Sequence, residues 1–342
     1  MEDKLHLARK IVPDLTDELI KRYRILKTVK LLEPCGRRLV VVSLGMTERT
    51  VRSEIEKLNA QGLVKVSKTG MAVTEDGMEV LDGLHHLFSA LTGLTELEEQ
   101  VREILGVKRV YLAQGDVDES ERTRKEMAQI GARVLLDMTR KSSHIAITGG
   151  STMAELVEAV PMMSMPKAEM ILPARGSIGR KLEVQADTLA AKLAEKLEAD
   201  YRMLHLPDNL SSNVLEEMRE EPEVAETIEE MKRATILLLG VGNAMDMAQR
   251  RRLDKKICAL LEEKKAAAEA CGYYFNHDGD VVYETNSIGI DFQDVHRMEA
   301  VLVSAGGSKK AESLLALSKS MSNAVFVMDE GAARGMLRLA GK

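Results

Sequence analysis

The first hundred residues place apolar and basic positions at helical spacing. Leu15 to Leu32 carries an apolar residue every three or four positions, with lysines and arginines between them, which predicts an amphipathic helix. Arg37 to Leu44 and Glu48 to Ala60 predict two further helices joined by a turn at Gly45. Gly62 to Val73 alternates around a short turn and predicts a β-hairpin. This succession is typical of a winged helix-turn-helix unit.

The segment Glu48 to Ala60 carries basic and small polar residues in its first turns, where a recognition helix meets base edges. We predict that double-stranded DNA is contacted by Arg37, Arg38, Thr47, Arg49, Thr50, Arg52, Ser53 and Lys57. In the hairpin, Lys65 or Lys68 would touch backbone phosphates. A winged helix that serves only protein contacts is the alternative.

From Val107 onward, short apolar runs alternate with helical stretches, which is typical of a parallel α/β sheet. The predicted strands are Arg109–Ala113, His144–Thr148, Met170–Pro173, Arg202–Leu206, Ile236–Gly240, Ala300–Ser304 and Ala324–Met328, with helices between them. Val80 to Val101 predicts one linker helix, and its leucines at 84, 87, 91, 94 and 97 form either a dimer seam, which we favour, or a core. We therefore divide the chain into residues 1–85, a linker helix at 86–106, and residues 107–342.

Several of the predicted strands end in glycine-rich turns, and ligands bind beyond the strand ends in such folds. Thr148 to Thr152 opens a helix with glycines and hydroxyls, which suits a phosphate, although a plain strand-to-helix turn uses the same residues. Pro173 to Arg180 adds a guanidinium, and Ala305 to Lys310 repeats the glycine turn with lysines. Two such turns on one sheet edge would hold a ligand with a phosphate at each end. Gly240 to Asn243 lacks the spacing of a dinucleotide fingerprint, so we reject NAD.

Composition and charge separate the two parts. The chain has 342 residues, 45% of them apolar, and a formal net charge of -6. Between Lys21 and Lys68, 12 basic residues face 4 acidic ones, whereas from Leu91 onward 33 face 41. A basic head on an acidic body favours a nucleic-acid module joined to a domain with another task. Three dispersed cysteines, no membrane-length apolar run and no signal peptide predict a cytoplasmic protein with reduced thiols and without a metal or cofactor.

The sequence resembles the SorC and DeoR-like family of sugar-responsive repressors over nearly its whole length. The motifs that carry the resemblance are Glu33-Pro34, Gly36-Arg37-Arg38, Ser43-Leu44-Gly45, Thr148-Gly149-Gly150, Pro173-Ala174-Arg175-Gly176, Met247-Ala248-Gln249-Arg250-Arg251, Gly272-Tyr273-Tyr274-Phe275-Asn276, Asp278-Gly279 and Ala305-Gly306-Gly307-Ser308. The family implies an α/β protein in which a winged helix-turn-helix domain is joined by a linker helix to a Rossmann-like effector domain, folded like sugar-phosphate isomerases and CoA transferases.

By resemblance, the protein would be a homodimer or homotetramer that represses an operon for glyceraldehyde-3-phosphate dehydrogenase and lower glycolysis, relieved by fructose 1,6-bisphosphate. The family positions that line the effector correspond to Gly149, Gly150, Ser151, Thr152, Arg175, Gln185, Arg250, Glu269 and Lys310. Ser151 stands where threonine is expected, and Ser177 where glycine is expected. Without the resemblance, Gln185 and Glu269 would be interpreted as solvated helix residues.

Two other functions fit parts of the pattern. A sugar-phosphate isomerase or kinase with an accessory winged helix would also use glycine turns and a doubly wound sheet. Against it, no strand end offers an obvious acid and base, and the nearest candidate, Asp329 to Gly331, is better interpreted as a strand-to-helix turn. A constitutive DNA-binding scaffold with a vestigial pocket is the third possibility. We expect a regulator rather than an enzyme.

Overall fold

The computed structural model describes residues 11–91, 94–177, 181–208 and 210–341. Its contacts divide the chain into an N-terminal unit and a C-terminal unit, with the division between Leu97 and Glu98. Within the described ranges, no helix is both long enough and apolar enough to cross a membrane.

In its described residues, the N-terminal unit contains four helices and a hairpin, besides the first turn of a helix that continues into the C-terminal unit. Its elements are α1 (Pro13–Leu32), α2 (Arg37–Leu44), α3 (Glu48–Ala60), β1 (Val64–Ser67), β2 (Gly70–Val73) and α4 (Glu75–Leu91). Gly45 ends α2 in the left-handed conformation, with φ of 61°, and Thr47 caps α3 by accepting a hydrogen bond from the Thr50 amide. The predicted helices, turn, cap and hairpin are confirmed.

A single apolar core holds these elements together. Its buried members come from all four of these helices and the hairpin, and include Ile25, Leu26, Val29, Val40, Val51, Ile55, Leu58, Met71 and Leu81. Because these residues recur at helical spacing, each helix turns one face inward and leaves its basic residues outside.

The described part of the C-terminal unit contains two sheets. Its first part contains α5 (Leu94–Leu105), which begins before the division, β3 (Arg109–Ala113), α6 (Glu121–Met138), β4 (His144–Ile147), α7 (Ser151–Ala159), β5 (Met170–Pro173), a 3₁₀ turn (Leu182–Val184), α8 (Ala186–Leu197) and β6 (Asp200–Tyr201). The middle part contains α9 (Ser212–Glu220), α10 (Pro222–Lys232), β7 (Ile236–Leu239), β8 (Gly242–Asn243), α11 (Ala244–Arg251), α12 (Lys255–Glu263), β9 (Ala266–Ala270), β10 (Tyr273–Asn276) and β11 (Val281–Glu284). The last part contains α13 (Phe292–Val295), β12 (Ala300–Ser304), a second 3₁₀ turn (Ser308–Lys310), α14 (Ala311–Ser318), β13 (Ala324–Asp329) and α15 (Glu330–Leu339).

Seven parallel strands form the larger sheet in the order β3-β13-β12-β7-β4-β5-β6. Its central strands are buried along their full length, as expected of a parallel sheet covered on both faces. The chain proceeds from β4 outward to β5 and β6, then returns to β7 and proceeds the other way to β12 and β13. The order therefore reverses between β4 and β7, where doubly wound folds bind ligands.

The elements differ from the prediction at one strand and at one additional sheet. The strand predicted at Arg202–Leu206 lies instead at Asp200–Tyr201, and His205 adopts a φ of 53° that a strand does not allow. The predicted linker helix is described in two parts, α4 up to Leu91 and α5 from Leu94, and its continuity stays a prediction because residues 92 and 93 lie outside the described part of the chain. The antiparallel sheet β11-β10-β9-β8 was not predicted, because the alanine-rich β9 has the composition of a helix.

The predicted leucine seam is only partly within the described residues. Leu84 packs on the core of the N-terminal unit, and the side chains of residues 87 and 91 lie outside the described part of the chain. The seam therefore stays a prediction. Residues 178–180 of the predicted glycine turn at Pro173 to Arg180 also lie outside it.

Candidate functional site

The outer face of α3 carries most of the residues predicted to contact DNA. Arg49, Arg52 and Ser53 are exposed on this helix. Arg37 and Arg38 are exposed at the start of α2. The hydroxyls of Thr47 and Thr50 lie 2.9 Å apart at the first turn of α3, so they form the cap and also face solvent there. The structure thus brings the predicted residues onto two adjoining helices.

Lys57 differs from the others because its ammonium group is paired with a buried carboxylate. Its Nζ lies 2.7 Å from Oε1 of Glu54 and 3.6 Å from Oε1 of Glu18, while Nε of Arg22 donates to Oε2 of Glu54 at 2.8 Å. The Glu54 side chain is only 5% exposed, so it needs these cations. Lys57 and Arg22 therefore fasten α3 to α1.

The β1–β2 hairpin is attached to the turn between α1 and α2. The amides of Cys35 and Met71 donate to each other's carbonyl groups at 3.1 and 2.8 Å, and the Val73 amide donates to Oε2 of Glu33 at 2.7 Å. Lys65 and Lys68 are exposed on the hairpin. This position relative to α3 is that of the wing in a winged helix.

In the C-terminal unit, the turn between β4 and α7 lies at the point where the strand order reverses. Thr148 Oγ1 accepts a hydrogen bond from the Gly240 amide at 3.3 Å and so joins the ends of β4 and β7. Gly150 has a φ of 125°, and its amide donates to the Val184 carbonyl at 2.9 Å. A Cβ atom at Gly149 would lie 2.7 Å from that same carbonyl oxygen. Glycine is therefore required at 150 by the backbone conformation and at 149 by the close approach of the Val184 carbonyl.

The first turn of α7 is a place where an anion can bind. Gly150 occupies its N-cap position and has no side chain with which to cap the amides that follow. Ser151 is exposed, and Thr152 is half-buried. Amides at a helix N-terminus, together with two hydroxyls, donate hydrogen bonds to phosphate, and the helix dipole favours negative charge there.

Arg175 follows β5 and belongs to a buried chain of four charged residues. Its Nε and Nη2 donate to Asp208 Oδ1 at 3.1 and 2.6 Å, and Nη2 also donates to Thr285 Oγ1 at 2.6 Å. Arg251 donates to Asp208 Oδ2 at 2.7 Å and to Glu269 Oε1 at 2.8 Å. Arg175, Asp208, Arg251 and Glu269 therefore alternate in charge along one network.

The network is closed to solvent, and its charges depend on one another. The four side chains are between 2% and 7% exposed. Burial by itself would raise the pKa of Asp208, but the guanidinium groups of Arg175 and Arg251 outweigh it and hold that pKa below its usual value. Buried charges that are paired in this way are costly to separate.

The interpretation of Glu269 and Gln185 as solvated helix residues, which the local sequence gives without the family resemblance, is wrong. Glu269 lies on β9, where its carboxylate is buried and accepts from Arg251 and from the Gly272 amide at 2.6 Å. Gln185 is buried at the N-cap of α8, beside Gly149. Both residues were misjudged because long-range partners bury them, and the local sequence does not show those partners.

The glycine turn after β12 differs from the expected phosphate cradle. The Gly307 amide donates to both oxygens of Asp329, at 3.1 and 3.0 Å, and the Ser308 amide lies 3.4 Å from Asp116 Oδ2. Carboxylates of this chain therefore occupy the amides that were expected to bind phosphate. Asp329 also caps α15 by accepting from the Ala332 amide, which confirms the strand-to-helix interpretation of that segment.

Lys310 provides a positive charge at this turn, although the amides of the turn are already occupied by carboxylates. Burial lowers its pKa, and the positive charge of Arg250 lowers it further, while Asp118 and Asp329 act in the opposite direction. Arg250 itself is exposed at the end of α11. The charges of Arg250 and Lys310 therefore interact, and an anion that contacts both would be bound favourably.

The structure thus combines a winged helix-turn-helix in one unit with a doubly wound parallel sheet in the other. The family of the CggR N-terminal DNA-binding domain matches residues 19–88, and the sugar-binding domain family matches residues 89–338. The chain therefore carries a DNA-binding domain followed by a sugar-binding domain.

Proteins of known name are similar along the full length. The chain is 37% identical to the central glycolytic genes regulator of Bacillus subtilis and 35% identical to that of Priestia megaterium, with 99% of each chain covered in both cases. The crystal structure of a SorC family transcriptional regulator from Enterococcus faecalis superposes with a TM-score of 0.66 at 29% identity, over 71% of this chain and 99% of the other.

The chain belongs to the family of central glycolytic genes regulators, within the SorC and DeoR-like regulators. It is a sugar-responsive transcriptional regulator and not an enzyme.

Proposed function

We propose that this protein represses genes of lower glycolysis, including that for glyceraldehyde-3-phosphate dehydrogenase, and that fructose 1,6-bisphosphate relieves the repression. The relatives named above are regulators of central glycolytic genes, which supports the choice of operon. The effector would bind without a metal or a further cofactor. The protein would act as a homodimer or homotetramer, since paired recognition helices read two operator half-sites.

The observation that carries the effector proposal is the strand order β12-β7-β4. It separates the α7 N-terminus, after β4, from Lys310, after β12, by two strand spacings, or about 10 Å. One phosphate would bind the amides and hydroxyls of Ser151 and Thr152. The other would bind Lys310 and Arg250, where it would relieve the repulsion between the two cations. A phosphate at each end of a hexose suits this separation better than a single phosphate does.

The sugar between the two phosphates would lie over the ends of β4 and β7. Gln185 lies beside Gly149, and Glu269 lies beside Gly242, because a Cβ atom at Gly242 would be 3.7 Å from Glu269 Oε2. These two side chains are suited to hydrogen bonds with sugar hydroxyls. Arg175 would act from the buried network, either by reaching a phosphate or by fixing Asp208.

The ligand must favour one arrangement of the subunits over another if it is to change DNA binding. A difference of about 1 to 3 kcal/mol between the two arrangements changes operator affinity by roughly five- to 150-fold. The test is a DNA-binding titration with duplexes that the full-length protein selects from a randomised library. It is repeated at fixed salt with fructose 1,6-bisphosphate, fructose 6-phosphate and glucose 6-phosphate.

We expect fructose 1,6-bisphosphate to weaken DNA binding at lower concentration than either monophosphate. Arg52→Ala should lose specific DNA binding and keep the thermal stabilisation by the bisphosphate, which separates the two activities. DNA binding that is indifferent to all three sugars would contradict the proposal and favour the scaffold with a vestigial pocket. Turnover of any of the sugars would favour the enzyme.

A further inference from the structure

A carboxylate stands at the centre of the exposed face of α3. The residues on the face away from the core are Arg49, Arg52, Ser53, Glu56 and Ala60, all of them exposed. Residues seven apart differ by only about 20° around a helix axis, so Glu56 lies in line with Arg49, two turns further along. If α3 enters a groove with this face, Glu56 faces the base edges together with the arginines.

Glu56 is paired with Arg52 on the open surface. Oε1 of Glu56 lies 3.0 Å from Nε of Arg52, and the two side chains are 63% and 65% exposed. The pair therefore presents a hydrogen-bond donor and an acceptor side by side. An exposed ion pair of this kind stabilises a protein little, so helix stability alone gives it small value.

A carboxylate close to DNA is repelled by the phosphates, and this cost is offset only where it meets a hydrogen-bond donor. The donors in the major groove are the N4 amino group of cytosine and the N6 amino group of adenine. Arginine prefers the O6 and N7 acceptors of guanine. A G·C pair shows these acceptors beside the cytosine amino group, which matches the order of donor and acceptor in the Arg52–Glu56 pair.

We infer that Glu56 determines operator sequence by accepting a hydrogen bond from N4 of a cytosine, with Arg52 on guanine of the same or the neighbouring base pair. This inference rests on the proposed role of α3 as the recognition helix. It adds to the predicted contacts a residue that the search for basic and small polar side chains passed over.

Selection from a randomised duplex library by the full-length protein, without sugar phosphate, tests the inference. The wild type is compared with Glu56→Ala, Glu56→Gln and the control Glu79→Ala, which removes an exposed carboxylate from α4. We expect the wild type to enrich cytosine at one position of each half-site, and Glu56→Ala to reduce that preference at least tenfold at that position alone. Glu56→Gln should shift it toward adenine, because an amide pairs with the N6 and N7 groups of that base.

The control variant and the affinities for DNA show which results would overturn the inference. Glu79→Ala should keep the wild-type profile, and binding of Glu56→Ala to random DNA should be unchanged or tighter. An unchanged base profile in Glu56→Ala, or an equal loss of affinity for every sequence, would overturn the inference and leave Glu56 as a helix ion pair. If the wild type enriched no sequence, the proposed function itself would fail.

Discussion

Asp208 and Arg175 form a buried ion pair, with 2.6 Å between Oδ1 and Nη2 and with both side chains almost closed to solvent. The second oxygen of the same carboxylate holds Arg251, which in turn holds Glu269. Two residues that the family assigns to the effector site, Arg175 and Glu269, are thus connected through Asp208. Asp208, which no strand-end motif contains, therefore holds Arg175 directly and Glu269 through Arg251.

Replacing Asp208 by alanine should leave two guanidinium groups buried without their shared partner. Removal of one partner from a buried ion pair costs about 3 to 5 kcal/mol, so we expect the free energy of unfolding of the C-terminal unit to fall by that amount. Urea titration followed by tyrosine fluorescence measures it, since five of the six tyrosines lie in this unit. Asp278→Ala removes a carboxylate that is 82% exposed and should change the free energy by less than about 0.5 kcal/mol. Equal effects of the two substitutions would contradict the role of Asp208.

Gly272 should not tolerate a side chain. Its φ is 82°, and a Cβ atom there would lie 1.2 Å from Nη1 of Arg175. Gly272→Ala should therefore displace Arg175 and weaken binding of fructose 1,6-bisphosphate, as measured by calorimetric titration. Gly106→Ala is the matched control, because Gly106 has a similar φ of 63° and no atom within 4 Å of the added Cβ. Gly106→Ala should lower the free energy of unfolding only by the backbone contribution of about 1 kcal/mol, and it should bind fructose 1,6-bisphosphate normally. Normal binding by Gly272→Ala would show that the position of Arg175 is unimportant.

Lys310→Met should weaken binding of the bisphosphate by roughly 10- to 150-fold, the value of about 1.5 to 3 kcal/mol for a hydrogen bond to a charged group. DNA binding without sugar should stay unchanged. Lys309→Met, which removes the exposed neighbouring cation, should bind as the wild type does. Because the pKa of Lys310 is lowered in the free protein and a phosphate would raise it, binding should take up protons at pH values near that lowered pKa. Titration in buffers of different ionisation enthalpy measures this uptake, and its absence would remove Lys310 from the phosphate site.

We expect Glu98 to make the stability of the C-terminal unit depend on pH. Burial raises the pKa of this carboxyl to about 7, although it accepts a hydrogen bond from the Leu112 amide at 2.8 Å. The folded protein therefore binds one more proton than the unfolded chain between roughly pH 4.5 and 7, and stability falls as pH rises through this range. Glu98→Gln should be more stable than the wild type at pH 8, by about 1 to 3 kcal/mol, and similar to it at pH 4.

Urea titrations at both pH values check the Glu98 prediction. The control is Glu103→Gln on the same helix, because its side chain is exposed and its substitution should leave the difference between the two pH values as in the wild type. A Glu98→Gln variant with the wild-type pH dependence would contradict the role of this carboxyl.

Local chemistry explains why much of the N-terminal unit was predictable. Thr47 caps α3 and Gly45 turns the chain, and both are decided by neighbours within a few positions. The parallel strands were predictable for a similar reason, since continuous apolar runs mark buried strands. The glycine turn at Gly149 and Gly150 also follows from a strand that precedes a helix.

The buried network was not predictable, because its partners are distant in sequence. Asp208 lies 33 positions from Arg175 and 43 from Arg251, and nothing around it marks it as a partner of either. In the run Arg250-Arg251-Arg252 the local pattern does not indicate which arginine is buried. The turn at Gly306 and Gly307 was misjudged for the same reason, since Asp329 comes from another strand to bind its amide. Only the three-dimensional contacts distinguish an open glycine turn from one already occupied.

Crystals of the full-length protein grown with fructose 1,6-bisphosphate would test the central claim most directly. The account predicts one phosphate on the first-turn amides of α7, beside Ser151 and Thr152, and the other between Arg250 and Lys310. Electron density for the sugar elsewhere in the chain, with the ends of β4, β7 and β12 holding only water, would contradict it.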